Sequence, residues 1–312
     1  MNYLFYWLMV LVEMLFTLLA ILLFLFTDSR VINFMTDDIL KEYNITYHEI
    51  SGNLFTGIKV DGLKYENRLI LDQAIVHWNP FSLEQKQVHI TQLELRGLRP
   101  TAIMDIISSL ENREKTTSTP KFDLDILVDN ILLTSKPLSY AGVTFKHFQL
   151  KTDRLEIDKH LHIRSKRFYL SVDSSLTDIQ IEGKLENDRL KLDEVQLLEI
   201  DPKVITSFVK EIQSNTTTSS KNSSAKSTFP LKHIAIKTLF ATMKTTTYGP
   251  VTIENTHAFI HDIDIDPRHH FNYNAKEVTV SSDTSFASTT QKGFIKDSEL
   301  FTTGDVITDE YL

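Results

Sequence analysis

Apolar and polar residues alternate along much of this chain, and most clearly between Ile50 and Leu98. There the apolar members fall at Ile58 and Val60, Leu69 and Leu71, Val88 and Ile90, then Leu93 and Leu95. A period of two is the mark of strands that bury one face. Asp61-Gly62, Glu66-Asn67 and Asn79-Pro80 separate the runs as turn signals, so the stretch predicts an antiparallel meander. Phe122, Leu124, Ile126 and Val128 recur at every second position with Asp123, Asp125 and Asp129 interleaved, predicting another strand with one wet and one dry face. Further strands are predicted over 142–150, 155–163, 168–173, 176–185 and 190–200, with Glu186-Asn187-Asp188 as a hairpin turn.

The order of events then repeats. After Gly97-Leu98-Arg99-Pro100 comes a helical spacing of Ile103, Met104, Ile107 and Leu110, followed by a Ser/Thr-rich run and Phe122. Glu199-Ile200-Asp201-Pro202 opens a second helix with Val204, Ile205, Phe208, Val209 and Ile212 on one side, followed by a Ser/Thr/Asn-rich run and Phe229. Pro100 and Pro202 stand 102 residues apart, Phe122 and Phe229 107 apart. Tyr140-Ala141-Gly142-Val143-Thr144-Phe145 is answered by Tyr248-Gly249-Pro250-Val251-Thr252-Ile253. Internal repetition outranks local assignments in deciding architecture, and it predicts an elongated array of about two and a half stacked units. Residues 214–228, SNTTTSSKNSSAKST, read as a disordered linker. The last unit breaks off in strand-like sequence, TGDVITDEYL, which predicts that the sequence is part of a longer protein.

Tyr3 to Phe26 is apolar apart from Glu13 and Thr17, long enough as a helix to cross a bilayer core of about 30 Å. Tyr3, Tyr6 and Trp7 sit where interfacial aromatics belong, and Phe26 closes the span. A cleaved signal peptide is the competing reading; the missing basic leader, the length of the run and the missing small-residue cleavage site favour an uncleaved anchor. Glu13 is either an intramembrane contact or a protonated carboxyl. Val31, Ile32, Met35, Ile39 and Leu40 continue as a helical stripe. The expected layout is therefore an anchor over 1–27, a juxtamembrane helix over 28–44, and β units over 45–121, 122–228 and 229–312, the last incomplete.

Composition narrows the function. A net charge of −8 without a basic run speaks against nucleic acid as a partner, and the absence of cysteine removes disulfides and thiolate chemistry. His160 with His162, His257 with His261, His269-His270, and Asp262, Asp264 and Asp266 have metal-compatible spacing, but no HExxH or EF-hand pattern accompanies them. They read more simply as solvent-facing strand residues. With 9 glycines and no phosphate loop or nucleophile elbow, the chain reads as a non-enzyme without cofactor or metal.

An N-terminal anchor followed by SGNLFTGIKVDGLKY, LDQAIVHWNPFSL and VHITQLELRGL, and later by LTDIQIEGKLENDRLKLDEVQLLEIDP, resembles the AsmA-like superfamily, in particular its TamB-type inner-membrane proteins of double-membrane bacteria. The resemblance implies a repeating antiparallel β-groove, half open and lined with apolar side chains, with short helices between units. It further implies a single-pass protein of the bacterial inner membrane with its bulk in the periplasm. Such a protein passes phospholipid between inner and outer membrane, or alternatively serves as an assembly partner of an outer-membrane β-barrel. Ile58, Val60, Ile90, Leu124, Ile126, Ile179, Ile181 and Leu192 would line the groove; each also fits an ordinary core position.

Overall fold

Alternation becomes strand through nearly all of the computed structural model, which describes residues 44–53, 57–103, 124–160, 162–219, 231–267, 272–285 and 287–308. These form one large, curved, open sheet of seventeen strands with few helices. The first stretch supplies β1 (Ile45–Thr46), β2 (Glu49–Asn53), β3 (Gly57–Tyr65), β4 (Arg68–Asn79) and β5 (Gln87–Leu98). The second supplies β6 (Asp125–Ser135), β7 (Leu138–Tyr140), β8 (Val143–Ile157), β9 (Ile163–Ser174), β10 (Asp178–Glu186) and β11 (Arg189–Ile200). After the helix α1 (Pro202–Ser219) come β12 (His233–Met243), β13 (Thr246–Tyr248), β14 (Val251–Asp266), β15 (Asn272–Thr284), β16 (Ala287–Lys296) and β17 (Glu299–Thr308).

Pairing follows chain order. Strands β1 and β2 share the outer edge of β3; the ladder then runs through β4, β5, β6, β8, β9, β10, β11, β12, β14, β15 and β16 to β17. The short β7 and β13 extend β6 and β12 along the same edges of β8 and β14. The sheet is not antiparallel throughout, as the resemblance implied. Strand β5 pairs in parallel with β6, and β11 with β12. A long connection between each pair returns the chain to its starting end, which a short hairpin cannot do.

The two parallel joins are built alike. Arg99 N–H donates to the Ile70 carbonyl (2.9 Å) and Asp201 N–H to that of Leu176 (2.8 Å); Lys136 N–H donates to Leu98 (2.7 Å) and Lys244 N–H to Ile200 (2.9 Å). Thr144 and Ser175 exchange the same backbone and hydroxyl bonds as Thr252 and Ser285. Asp201 caps α1, its Oδ1 accepting from Lys203 N–H (3.0 Å) and more loosely from Val204 N–H (3.4 Å), with Pro202 at the first helical position.

Several expectations change. Asp61-Gly62 lies inside β3; Gly62 takes a φ of +66°, and the irregularity is absorbed in the strand instead of reversing it. The turn is Glu66-Asn67, both at positive φ as a two-residue hairpin turn requires. The strand predicted over 155–163 is two strands meeting at a turn. There Asp158 accepts from the backbone N–H groups of His162 (3.0 Å) and His160 (2.8 Å), and the His162 bond chiefly lowers its carboxyl pKa to about 2. His160 and His162 therefore occupy a turn and do not share a strand face. The helix α1 runs to Ser219, into the segment predicted to be disordered; in its first turns the Thr206 and Ser207 hydroxyls donate to the Pro202 and Lys203 carbonyls (2.9 and 3.1 Å). Among the described residues no helix is long and apolar enough to cross a membrane. The predicted anchor, with Tyr3, Trp7, Glu13 and Phe26, lies outside the described residues, as do the juxtamembrane helix apart from Asn44, the helix beyond Ile103, and Phe122, Phe229 and His269-His270.

Candidate functional site

Residues paired across neighbouring strands point to the same side of a sheet, so the register traces what each face carries. One row runs Gly52, Ile58, Val76, Leu93, Ile131, Thr152, Phe168, Gly183, Leu192, Ile236, Ile263, Ala275, Ile295 and Leu300, crossing fourteen successive strands. The next row on the same face runs from Ile50 and Val60 through Leu95, Leu150, Ile181, Val195 and Ile260 to Val278, ending on Gly293 and Thr302. A third begins at Trp78 and Ile90 and passes Val128, Leu185 and Ile234 to Tyr273. At about 4.8 Å per strand, this band extends roughly 60 Å along the sheet.

The band is unbroken because bulges occur in step. In β12 the row positions are Ile236 and Leu239, in β14 Ile260 and Ile263, three residues apart where a plain strand would need two. Asp262, at φ +53°, is the extra residue in β14, and Arg154, at φ +50°, is its counterpart in β8. Each bulge twists the sheet locally and returns the apolar side chain to its own face. Ten of the twelve buried hydrophobic residues lie in these rows or beside them, among them Ile50, Ala74, Val172, Leu192, Val195 and Ile263. The described strands form a single sheet, so no second sheet covers this face among them, and many of its side chains, including Ile58, Ile181, Leu239 and Ile260, are only half-buried.

The opposite face is polar. A row there reads Lys59, Ile75, Glu94, Leu132, Lys151, Tyr169, Glu182, Glu194, Thr238, His261 and Glu277. Arg167 pairs with Glu182 at 2.6 Å and Lys276 with Asp262 at 3.0 Å, exposed bridges worth little individually. Asp72 fastens β4 to the first parallel join: its carboxylate meets Lys136 Nζ at 2.7 Å and the Arg99 guanidinium at 3.2 Å, and the Lys136 hydrogen bond chiefly holds its pKa below the usual carboxylate value. A Cβ at Gly97 would strike that carboxylate at 2.3 Å, and its φ of +71° also suits glycine.

Of the eight residues predicted to line a groove, seven fall on the apolar face: Ile58 and Leu192 in the first row, Val60 and Ile181 in the second, Ile90 in the third, and Ile126 and Ile179 in rows flanking these. Leu124 is half-buried one position before β6 and outside the ladders. The sequence reading missed Ile131, Val195, Leu239 and Ile260, which stand three residues from Val128, Leu192, Ile236 and Ile263 in the neighbouring row, a spacing that imitates a helix and inside a β run is the signal of a bulge.

No group of three or more His, Asp or Glu stands close enough to hold a metal among the described residues. His162 pairs instead with Asp158 (2.9 Å) and His89 with Asp129 (2.7 Å). A shallow cleft of about 820 Å³ opens around Phe240, Phe259, His257 and Met243, with Phe240 and Phe259 on the polar face. No family model and no curated protein matches this chain.

Proposed function

We propose that this chain is a β-groove protein, akin to the AsmA-like and TamB-type proteins it resembles, whose apolar face shields phospholipid acyl chains in passage between two membranes. In this reading the segment over 1–27 anchors it in a bacterial inner membrane and the sheet stands in the periplasm. The observation that carries the reading is the apolar band, which crosses fourteen strands on one face while the other face is mostly polar. Leaving a sixteen-carbon chain in water costs on the order of 12 kcal/mol, at about 0.8 kcal/mol per methylene. A strip of half-buried aliphatic side chains lowers that barrier at each position along the sheet, and its non-directional attraction lets a chain slide.

Purified full-length protein should carry phospholipid detectable by mass spectrometry after extraction. Ile181→Glu and Ile126→Glu, which place a charge on the apolar face, should lose most of it, whereas Gln180→Glu on the polar face should retain it with circular dichroism unchanged in all three. Equal lipid content in Ile181→Glu and the parent, or none in the parent, would count against lipid carriage.

A further inference from the structure

The two parallel joins are alike enough that each residue around the second has a counterpart at the first. Thr134 Oγ1 accepts from Gly97 N–H at 3.4 Å, and Thr242 Oγ1 from Glu199 N–H at 2.9 Å. Leu98 pairs with Ser135 at the first join and Ile200 with Met243 at the second. Thr134 faces Gln149 where Thr242 faces His257, and Leu132 faces Lys151 where Phe240 faces Phe259. Glu199, Phe240, Met243, His257 and Phe259 therefore stand where the first join has Gly97, Leu132, Ser135, Gln149 and Lys151. All of these departures line the one shallow cleft of about 820 Å³ around Phe240 and Phe259. Drift on a solvated face would scatter such changes; here they converge.

Glu199 is also the costly choice for its place. Its φ is +54°, in the left-handed region, where the first join has Gly97 at +71°. A side chain there opposes folding, and such outliers gather where a residue serves something other than stability. Neither the Glu199 carboxylate nor the Lys244 ammonium, both exposed and both lining the cleft, has a side-chain partner among the described residues. At the first join the matching ammonium, Lys136, is neutralised by Asp72 at 2.7 Å. Two opposite charges thus share one cleft without pairing with each other. Its apolar part is the Phe240–Phe259 pair, ring centroids 4.6 Å apart, with Phe259 38% exposed. His257 Nδ1 lies 3.0 Å from the Asn255 carbonyl oxygen, which only accepts, so Nδ1 carries the proton and Nε2 of the neutral ring is an acceptor.

We propose that this cleft binds a zwitterion with a primary ammonium, the chemistry of a phosphoethanolamine headgroup. The Glu199 carboxylate and His257 Nε2 accept from the ammonium N–H groups, the π systems of Phe240 and Phe259 attract the same cation, and Lys244 meets the phosphate. The cleft lies on the face opposite the apolar band, and the inference is independent of acyl-chain carriage.

Full-length protein held in amphipol and titrated with glycerophosphoethanolamine should show saturable NMR shifts at the amides of His257 and Phe259, and none at Gln149 and Lys151. Glycerophosphocholine, which has no ammonium N–H, and ethanolamine or glycerol phosphate, which each supply one charge, should bind about tenfold more weakly. Glu199→Gly restores the residue of the first join; it should raise the urea midpoint by releasing the left-handed strain while weakening binding about tenfold. Phe259→Lys, the residue of the second strand pair's counterpart, should weaken binding with circular dichroism unchanged. No saturable shift, equal affinity for glycerophosphoethanolamine and any of the three comparison ligands, or undiminished binding by Glu199→Gly would overturn the proposal. Displacement of bound glycerophosphoethanolamine by bicelles of phosphatidylethanolamine would identify the natural source as a membrane lipid, and retention a free headgroup ester; either result supports the chemistry assigned to the cleft.

Discussion

At the scale of single residues, the apolar face depends on positions where almost nothing fits. Gly183 sits in the first apolar row between Phe168 and Leu192, and a Cβ there would lie 2.4 Å from the Lys191 carbonyl oxygen and 2.8 Å from a Leu192 methyl. Neither neighbour can withdraw, one being backbone and the other packed in the cluster of Leu192, Val195, Ile236 and Ile263. Gly183→Ala should therefore lower the free energy of unfolding in urea by about 1–3 kcal/mol, the usual cost of overpacking. Gln180→Ala, three residues away on the polar face, should change it by less than about 0.5 kcal/mol. Polar atoms on the apolar face are tolerated where they find a partner, as with Ser165, whose hydroxyl donates to the Arg167 carbonyl at 3.2 Å.

Elements show why some of the fold was legible and some was not. The helix after Pro202 was plain because the cap, the proline and the apolar spacing agree, and its cap is local. Asp201→Ala should cost about 1 kcal/mol of helix stability, seen as faster amide exchange in the first turn of α1 with the strands unaffected. Hairpins were legible from Glu66-Asn67 and Glu186-Asn187-Asp188 because turn chemistry lies in neighbouring residues. The turn at Asp158 was not, because Leu155, Ile157 and Ile163 alternate across it and the hydrogen bonds to His160 and His162 that bend the chain carry no distinctive spacing. Bulges at Arg154 and Asp262 were hidden for the opposite reason, since they break the period of two while preserving the face. The parallel joins were beyond local reading altogether, because a strand's direction depends on where a long connection returns it and not on the strand's own residues.

At the scale of the molecule, the sheet behaves as a two-sided strip. One side is continuous in hydrocarbon from Ile50 to Val278, while the other is mostly carboxylates, amines, amides and hydroxyls, interrupted by Ile75, Leu132 and Tyr169 and by the pairs Phe240–Phe259 and Phe294–Phe301. Packing apolar side chains against one another within a single layer buries some and leaves many, such as Ile58, Ile181, Leu239 and Ile260, partly exposed, so the face gains further free energy from an apolar occupant. Seven of the eight residues named on the resemblance lie on this face, where each also fits the alternation of its strand; the assembly of fourteen strands into one band needed the register. The central claim is that this face, and not its reverse, holds acyl chains. Photo-crosslinking residues placed singly at Ile58, Ile181 and Ile260 on the apolar face, and at Gln180, Gln196 and Thr279 on the polar face, test it in full-length protein within native membranes. The account predicts phospholipid adducts at the first three positions and none at the other three; adducts distributed equally over both faces, or confined to the polar one, would contradict it.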